Sequence, residues 1–337
     1  MFEKHISDLD SDLELELEKL IGNTPMIKIK YRYQNREGVV YAKLEYYNYT
    51  GSIKDRIASY IIKKSKEENI LKENQAIVEA TSGNTGISFA ALGAYFSHPV
   101  HIFMPDWVSE ERIKIMKLYG AHVYLVNKEE GGFKEAIKRS EEFAAKINGF
   151  LPRQFENVLN IEAHYLTTAK EILNEASEID TFVSGIGTGG TLMGVAKRLK
   201  EDNKNIKIIA LEPDKMPLLS GGKIIGDHKI EGIGDEFIPR LVDFNLIDKV
   251  ISINDLDAIN MSRILASKLG LGVGISSGAN FLASVLSGGK NVVTVFPDDA
   301  KKYLSTDLSK DIDNDKELLS NKIELLGLEV VGQKKSQ

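Results

Sequence analysis

The chain alternates two kinds of segment, and that alternation narrows its fold more than any other feature. Short apolar runs rich in β-branched residues recur at Val39–Leu44, Ala76–Ala80, His101–Met104, His122–Val126, Thr181–Ser184, Lys207–Leu211, Lys249–Ser252 and Asn291–Phe296. Longer amphipathic stretches separate them, at Ile53–Glu68, Gly86–Phe96, Ser109–Tyr119, Phe133–Lys146, Ile161–Ser177, Leu192–Glu201, Asp255–Leu269 and Ala279–Leu286. Strands alternating with helices define βαβ units and a mostly parallel sheet, hence an α/β fold. The 337 residues exceed the ~250–300 at which one hydrophobic core stops growing, so two lobes are expected. In open sheets of this kind ligands bind beyond the C-terminal ends of the strands. The loops leaving each strand are therefore where chemistry is sought.

Several of those loops are rich in Gly, Ser and Thr: Tyr49–Ser52, Thr81–Gly86, Gly185–Thr191 and Gly274–Gly278. Glycine lets backbone N–H groups approach an anion, and Ser or Thr adds hydroxyl donors. The segment Gly185-Ile186-Gly187-Thr188-Gly189-Gly190 fits G-x-G-x-x-G, follows a strand and opens a helix. Glu212 ends the next strand, about 20 residues on, which completes a dinucleotide fingerprint. Taken alone this loop predicts an NAD-binding dehydrogenase. The same features bind any phosphate at a helix N-terminus, because N–H groups and the helix dipole do not identify the rest of the ligand. Lys54, in Ser52-Ile53-Lys54-Asp55-Arg56, stands at a loop-to-helix junction, where a lone Lys is normally a solvated charge. The Thr81-Ser82-Gly83-Asn84-Thr85-Gly86 segment, alone, is an ordinary helix cap.

Composition removes other classes. With 43 Lys+Arg against 49 Asp+Glu, a net charge of −6 lacks the basic footprint of a nucleic-acid protein. No cysteine is present, which excludes a disulfide scaffold, a thiolate metal site and a catalytic thiol. Met1–Lys19 is acidic with a helical leucine pattern, unlike a signal peptide. No run reaches the ~18 apolar residues of a membrane span. A cytoplasmic protein is expected. The segment after Ser309 is highly charged at first and then offers a helix over Lys316–Leu326, joined loosely if at all to the core.

Taken in order along the chain, the loops resemble those of the β-replacement group of fold-type II pyridoxal 5'-phosphate enzymes, the family of cysteine synthase (O-acetylserine sulfhydrylase) and cystathionine β-synthase. The resemblance runs from Ile21-Gly22-Asn23-Thr24-Pro25 to about Thr306. It includes Glu45–Arg56, Glu79–Gly86, Gln154–Asn157, Glu162–Tyr165, Gly185–Thr191, Leu219–Lys223, His228–Gly234, Gly274–Gly278 and Tyr303–Thr306. It implies two lobes, each with a twisted, mostly parallel sheet flanked by helices. A smaller mobile lobe would span 48–160 and a larger cofactor-binding lobe 1–47 plus 161–309, with a C-terminal tail at 310–337.

The resemblance also implies roles. Lys54 resembles the lysine that holds the cofactor as an internal aldimine and later moves the α-proton. Asn84 resembles the partner of the cofactor's 3′-oxygen, and Ser276 that of its pyridine nitrogen. Gly187, Thr188, Gly189, Gly190 and Thr191 resemble the phosphate cup. Ser82, Thr85 and Gln154 resemble the grip on the substrate α-carboxylate, with Thr81 and Gly83 giving backbone contacts. The implied reaction is β-elimination to an aminoacrylate followed by addition of a nucleophile at Cβ. The default pairing is O-acetylserine with sulfide. A homodimer is implied, and cysteine synthases often associate with serine acetyltransferase.

Four departures stand out. Asn48-Tyr49-Thr50 replaces the family's Asn-Pro, so this loop is expected to be less rigid, with Tyr49 at the substrate entrance as one reading. Pro297-Asp298-Asp299-Ala300 replaces Pro-Asp-Ser/Thr-Gly, and Asp299 either reaches the pyridine edge or caps a loop end. Asp235-Glu236 follows Gly232-Ile233-Gly234, where cysteine synthases commonly have a small residue. An acid there either faces solvent or acts as a base toward water or a thiol. The second role points to L-cysteine as substrate, with sulfide released and L-serine or a thioether formed. No regulatory extension of the animal cystathionine β-synthase kind is expected.

Overall fold

Strands covered on both faces must be apolar throughout, and the run Asn291–Phe296 meets that requirement, with every residue after Asn291 buried. The computed structural model describes residues 16–17, 19–176, 178–310 and 317–332. Among them the strands are β1 (Met26–Tyr33), β2 (Arg36–Leu44), β3 (Ile77–Ala80), β4 (Val100–Pro105), β5 (His122–Val126), β6 (Thr181–Gly185), β7 (Lys207–Pro213), β8 (Lys249–Ile253), β9 (Asn291–Phe296) and β10 (Ile323–Val330). The α-helices are α1 (Lys54–Glu67), α2 (Asn84–Tyr95), α3 (Glu110–Leu118), α4 (Gly132–Ile147), α5 (Val158–Leu166), α6 (Thr168–Glu175), α7 (Gly190–Asp202), α8 (Asp255–Leu269) and α9 (Ile275–Leu286).

The strands form two sheets. A seven-stranded sheet has the order β10-β1-β2-β9-β6-β7-β8, and a three-stranded sheet the order β3-β4-β5. From β2 to β8 the large sheet is parallel, and the small sheet is parallel throughout. One face of the large sheet packs Val183, Ile209 and Val292 against Ile259, Leu265 and Phe281 of α8 and α9. The other packs Phe182, Ile208 and Val293 against Ile172 of α6 and Leu192 and Leu199 of α7. The small sheet is sandwiched likewise, with α1 and α2 on one side and α4 on the other. The C-terminal ends of β3, β6 and β9 lead into the Thr81, Gly187 and Asp298 loops, so the two sheets aim their loops at one crevice.

One strand adds to those expected, and two expectations are corrected. Lys28, Lys30 and Arg32 alternate with Ile27, Ile29 and Tyr31, and this segment is strand β1, antiparallel to β2. Ile323–Val330 is also a strand, not part of a helix over 316–326: it pairs antiparallel with β1 and closes that edge. The register shifts between Lys30 and Tyr31, which leaves Leu326 as the extra residue of a bulge beside Gly327 at φ 142°. The C-terminal segment is thus joined to the large sheet over Ile323–Val330. Lastly, the helix over 161–177 is two helices, broken at Thr167, whose hydroxyl donates to the Ala163 carbonyl at 2.7 Å. The helical pattern of Met1–Lys19 lies almost wholly outside the described residues.

Candidate active site

Lys54 opens α1 directly after a loop that folds back onto the large sheet. The Ile53 amide donates to Pro297 O at 2.9 Å. Asp55 then binds the loop: its carboxylate accepts from Thr50 N at 2.7 Å, Thr50 Oγ1 at 2.6 Å and Ser88 Oγ at 2.6 Å. The loop that lacks the family proline is therefore held by a carboxylate instead. Tyr49 is 40% exposed and is not among the residues that line the pocket.

The pocket at the crevice brings together Lys54, Thr81, Ser82, Gly83, Asn84, Thr85, Gln154, Gly187, Thr188, Gly189, Thr191, Asp235 and Ser276. Every candidate residue is there except Gly190, which opens α7. Burial lowers the Lys54 amine to about 8, although the nearby carboxylates Asp235 and Asp298 oppose the shift. Asp235 follows Gly232 and Gly234, both at positive φ. Burial raises its carboxyl to about 7, against the pull of Lys54 and with help from Glu236. Those two residues are thus electrostatic neighbours poised near neutral pH.

The glycine loop after β6 is a cradle that side chains would fill. A Cβ on Gly187 would lie 2.3 Å from Gly232 O, and one on Gly190 would lie 1.8 Å from Asn160 Oδ1. Thr188 Oγ1 accepts from Asn160 Nδ2 at 2.9 Å, and Thr191 Oγ1 meets the buried His164 Nε2 at 3.1 Å. These partners hold the two hydroxyls at the start of α7, where the helix dipole favours an anion. Opposite them, Ser276 is buried in the first turn of α9, and its hydroxyl has no hydrogen-bond partner among the described residues.

The Thr81–Thr85 loop joins β3 to α2. Gly83 N donates to Thr81 Oγ1 at 3.0 Å, and a Cβ on Gly83 would collide with the Arg112 side chain at 2.1 Å. Thr85 Oγ1 donates to Gln154 Oε1 at 2.6 Å, and Gln154 Nε2 donates to Ala80 O at 2.9 Å. Asn84 Nδ2 donates to Asp298 Oδ2 at 2.7 Å. Asp299 caps the short helix after β9 by accepting from Lys301 N at 3.0 Å and lines none of the pocket, so it does not reach the cofactor side of the site. Sequence reasoning missed Asn160, Arg112, Asp298 and Lys302 around these loops. Each is far in sequence from the residue it supports, so no local signal pointed to it.

Glu212 ends β7 as expected, but its oxygens accept from Leu219 N at 2.8 Å and Ser252 Oγ at 3.1 Å. It is buried and committed internally, which removes the acid the dinucleotide reading needs. No cluster of His, Cys, Asp and Glu suited to a metal occurs among the described residues. The donor set fits pyridoxal phosphate instead: a half-buried, desolvated amine, an anion cradle too narrow for side chains, and an unpartnered hydroxyl across from both.

The comparisons agree with this chemistry. Residues 17–298 match the family model described as pyridoxal-phosphate dependent enzyme, and the chain belongs to that family. Its cofactor is pyridoxal 5'-phosphate, and it is an enzyme of the cysteine synthase type. Cysteine synthase of Staphylococcus aureus is 43% identical over 297 residues, spanning 86% of this chain and 95% of the relative. Cysteine synthase B of Campylobacter jejuni is 44% identical over 300 residues, 87% of this chain and 98% of the relative. The crystal structure of a hydrogen sulfide-producing enzyme from Fusobacterium nucleatum superposes with a TM-score of 0.90 at 48% identity, covering 95% of this chain and 100% of that one. A mutant of the same enzyme has been solved with an α-aminoacrylate intermediate. No helix among the described residues is long and apolar enough to cross a membrane.

Proposed function

We propose that the pocket performs β-replacement in the manner of cysteine synthase, joining O-acetylserine and sulfide into L-cysteine. The observation that carries the reading is the convergence of Lys54, the Gly187–Thr191 cradle, Ser276 and the Thr81–Thr85 loop on one pocket. When bound, pyridoxal phosphate supplies an electron sink that acidifies the Cα–H of an amino acid and lets a Cβ substituent leave.

The protein's own residues do the rest. Lys54 anchors the cofactor and then moves the proton at Cα; its pKa of about 8 leaves a usable neutral fraction near pH 7. Gly187–Thr191 hold the phosphate through N–H groups and hydroxyls. Ser276 would offer the pyridine nitrogen a neutral hydroxyl, and Asn84 would donate to the ring oxygen. Ser82, Thr85 and Gln154 orient the substrate carboxylate, assisted by the backbone of Thr81 and Gly83. Residues 48–160, which include the three-stranded sheet, act as the smaller lobe that closes and excludes water. The reading carries with it a cytoplasmic homodimer, with serine acetyltransferase as a partner docking at the pocket mouth.

Asp235 favours a second reading, in which the same site consumes L-cysteine and releases sulfide. A carboxylate beside Lys54 repels HS⁻ as an entering nucleophile and suits a base that activates water or a second thiol. The 48% identity to a hydrogen sulfide-producing enzyme supports it. Mixing the yellow holoenzyme separately with O-acetylserine, L-cysteine and L-serine, with sulfide assayed in parallel, separates the two. Sulfide consumption with O-acetylserine selects synthesis. Sulfide release from L-cysteine with serine accumulating selects degradation. Lys54→Ala should abolish the yellow colour, and colour that survives dialysis would remove Lys54 from its role.

A further inference from the structure

Lys302 is a buried cation that none of the roles above uses. It lies in the short helix Ala300–Tyr303 after β9 and is 3% exposed. Its ammonium donates to Gly51 O at 3.0 Å and to Asn84 Oδ1 at 3.1 Å. Asp298, Asp55 and Asp299 attract it, and Arg112 repels it. The side chain therefore joins three segments: the loop that delivers Lys54, the first residue of α2, and the segment after β9.

The polarity of these contacts is informative. An ammonium can only donate, so the Asn84 atom that faces it is the carbonyl oxygen. A carboxylate can only accept, so the Asn84 atom that faces Asp298 is the amide nitrogen, at 2.7 Å. Tyr303 donates to the same Asp298 oxygen at 2.7 Å and holds it in place. One anchor alone would leave the amide free to swing about the Asp298 contact. Two anchors of opposite polarity fix its plane and its sense. The second N–H of Asn84 is then the group left for the pocket.

We propose that Lys302 is a positioning residue that fixes the Asn84 amide so that it presents an N–H donor to the ring oxygen of bound pyridoxal phosphate. The inference rests on the assignment of Asn84 in the proposed function. A donor at that oxygen favours its ionised form, to which the visible absorbance band belongs, over the neutral form, which absorbs in the near ultraviolet.

The test is the absorbance spectrum of resting holoenzyme, with cofactor affinity from equilibrium dialysis and the melting temperature of the apoprotein. Lys302→Met should move intensity from the visible band to the near-ultraviolet band and weaken cofactor binding about fivefold to tenfold, the loss of one positioned hydrogen bond. Lys302→Arg, which keeps the charge and the donors, should restore the visible band. An unchanged spectrum and affinity in Lys302→Met overturn the proposal. So does a lower apoprotein melting temperature with the spectrum unchanged, which assigns Lys302 to the fold alone. If Lys302→Met does not fold, Lys302→Gln decides, because it reaches with a single amide in place of an ammonium: a partial shift in the same direction is expected, and no shift overturns the proposal. Lys54→Ala separates the two levels. Persistent colour there sinks the cofactor assignment, whereas a colourless Lys54→Ala beside a normal Lys302→Met sinks only this inference.

Discussion

Asp235→Asn tests the electrostatics of the site without touching its shape. An unfolded Asp titrates near 3.9, and burial in the pocket lifts Asp235 to about 7. Each tenfold change in proton affinity is worth about 1.4 kcal/mol, so the shift corresponds to about 4 kcal/mol at most. Solvent entering the open side of the pocket lowers the expected value to ~1–3 kcal/mol. The direction follows from proton counting. Between about pH 4 and pH 7 the folded protein keeps a proton that the unfolded chain releases, so stability falls as pH rises through that window. The full cost is present above the folded pKa. Asp235→Asn should therefore stabilise the apoprotein in urea denaturation at about pH 8 and gain little at about pH 4. Loss of the carboxylate also removes one of the two charges that hold the Lys54 amine up, so the Lys54 pKa should drop further. In the holoenzyme, formation of L-serine from L-cysteine should lose its rise through neutral pH, because water addition at Cβ lacks its base, while proton removal at Cα and the first release of sulfide persist. An equal stability change at both pH values would refute a titrating buried acid.

Two further changes probe the frame around the site. Gly190→Ala puts a methyl 1.8 Å from Asn160 Oδ1; it should weaken cofactor binding more than about tenfold, because overpacking typically costs ~1–3 kcal/mol, and unchanged dialysis affinity would contradict the cradle. Lys43 is fully buried and pairs with Glu171 at 2.8 Å and Glu175 at 3.0 Å beneath the large sheet. Lys43→Met should cost ~3–5 kcal/mol in denaturant unfolding by stranding those carboxylates. A loss under about 1 kcal/mol would show that Arg56 alone satisfies them.

Much of the fold was legible before any coordinates. Strands His122–Val126 and Asn291–Phe296 and helix Asp255–Leu269 fall where the hydrophobic pattern put them: the helix is long enough for its period to be unambiguous, and the strands are short β-branched and aromatic runs bounded by turn residues. The termini were harder. In β1 the alternation was readable, yet a strand with lysines on one face resembles a loop unless a partner is known. Ile323–Val330 mixes Leu and Glu in a pattern that suits a helix as well as a strand, and only the open edge of β1 selects the strand.

The site divides in the same way. Local sequence determined which segments carry chemistry, because a tight loop that admits an anion needs Gly, Ser and Thr at consecutive positions. It also placed Lys54 and Asp235 on separate loops. Only the tertiary structure decided what state those groups occupy. Desolvation lifts the Asp235 carboxyl to about 7 against the pull of Lys54, Asp299 caps a turn and leaves the pocket alone, and Asn84 has its amide oriented by Lys302 and Asp298 from more than 200 residues away. Charge state and amide orientation depend on desolvation and on distant partners, and neither quantity is encoded in the residues next door.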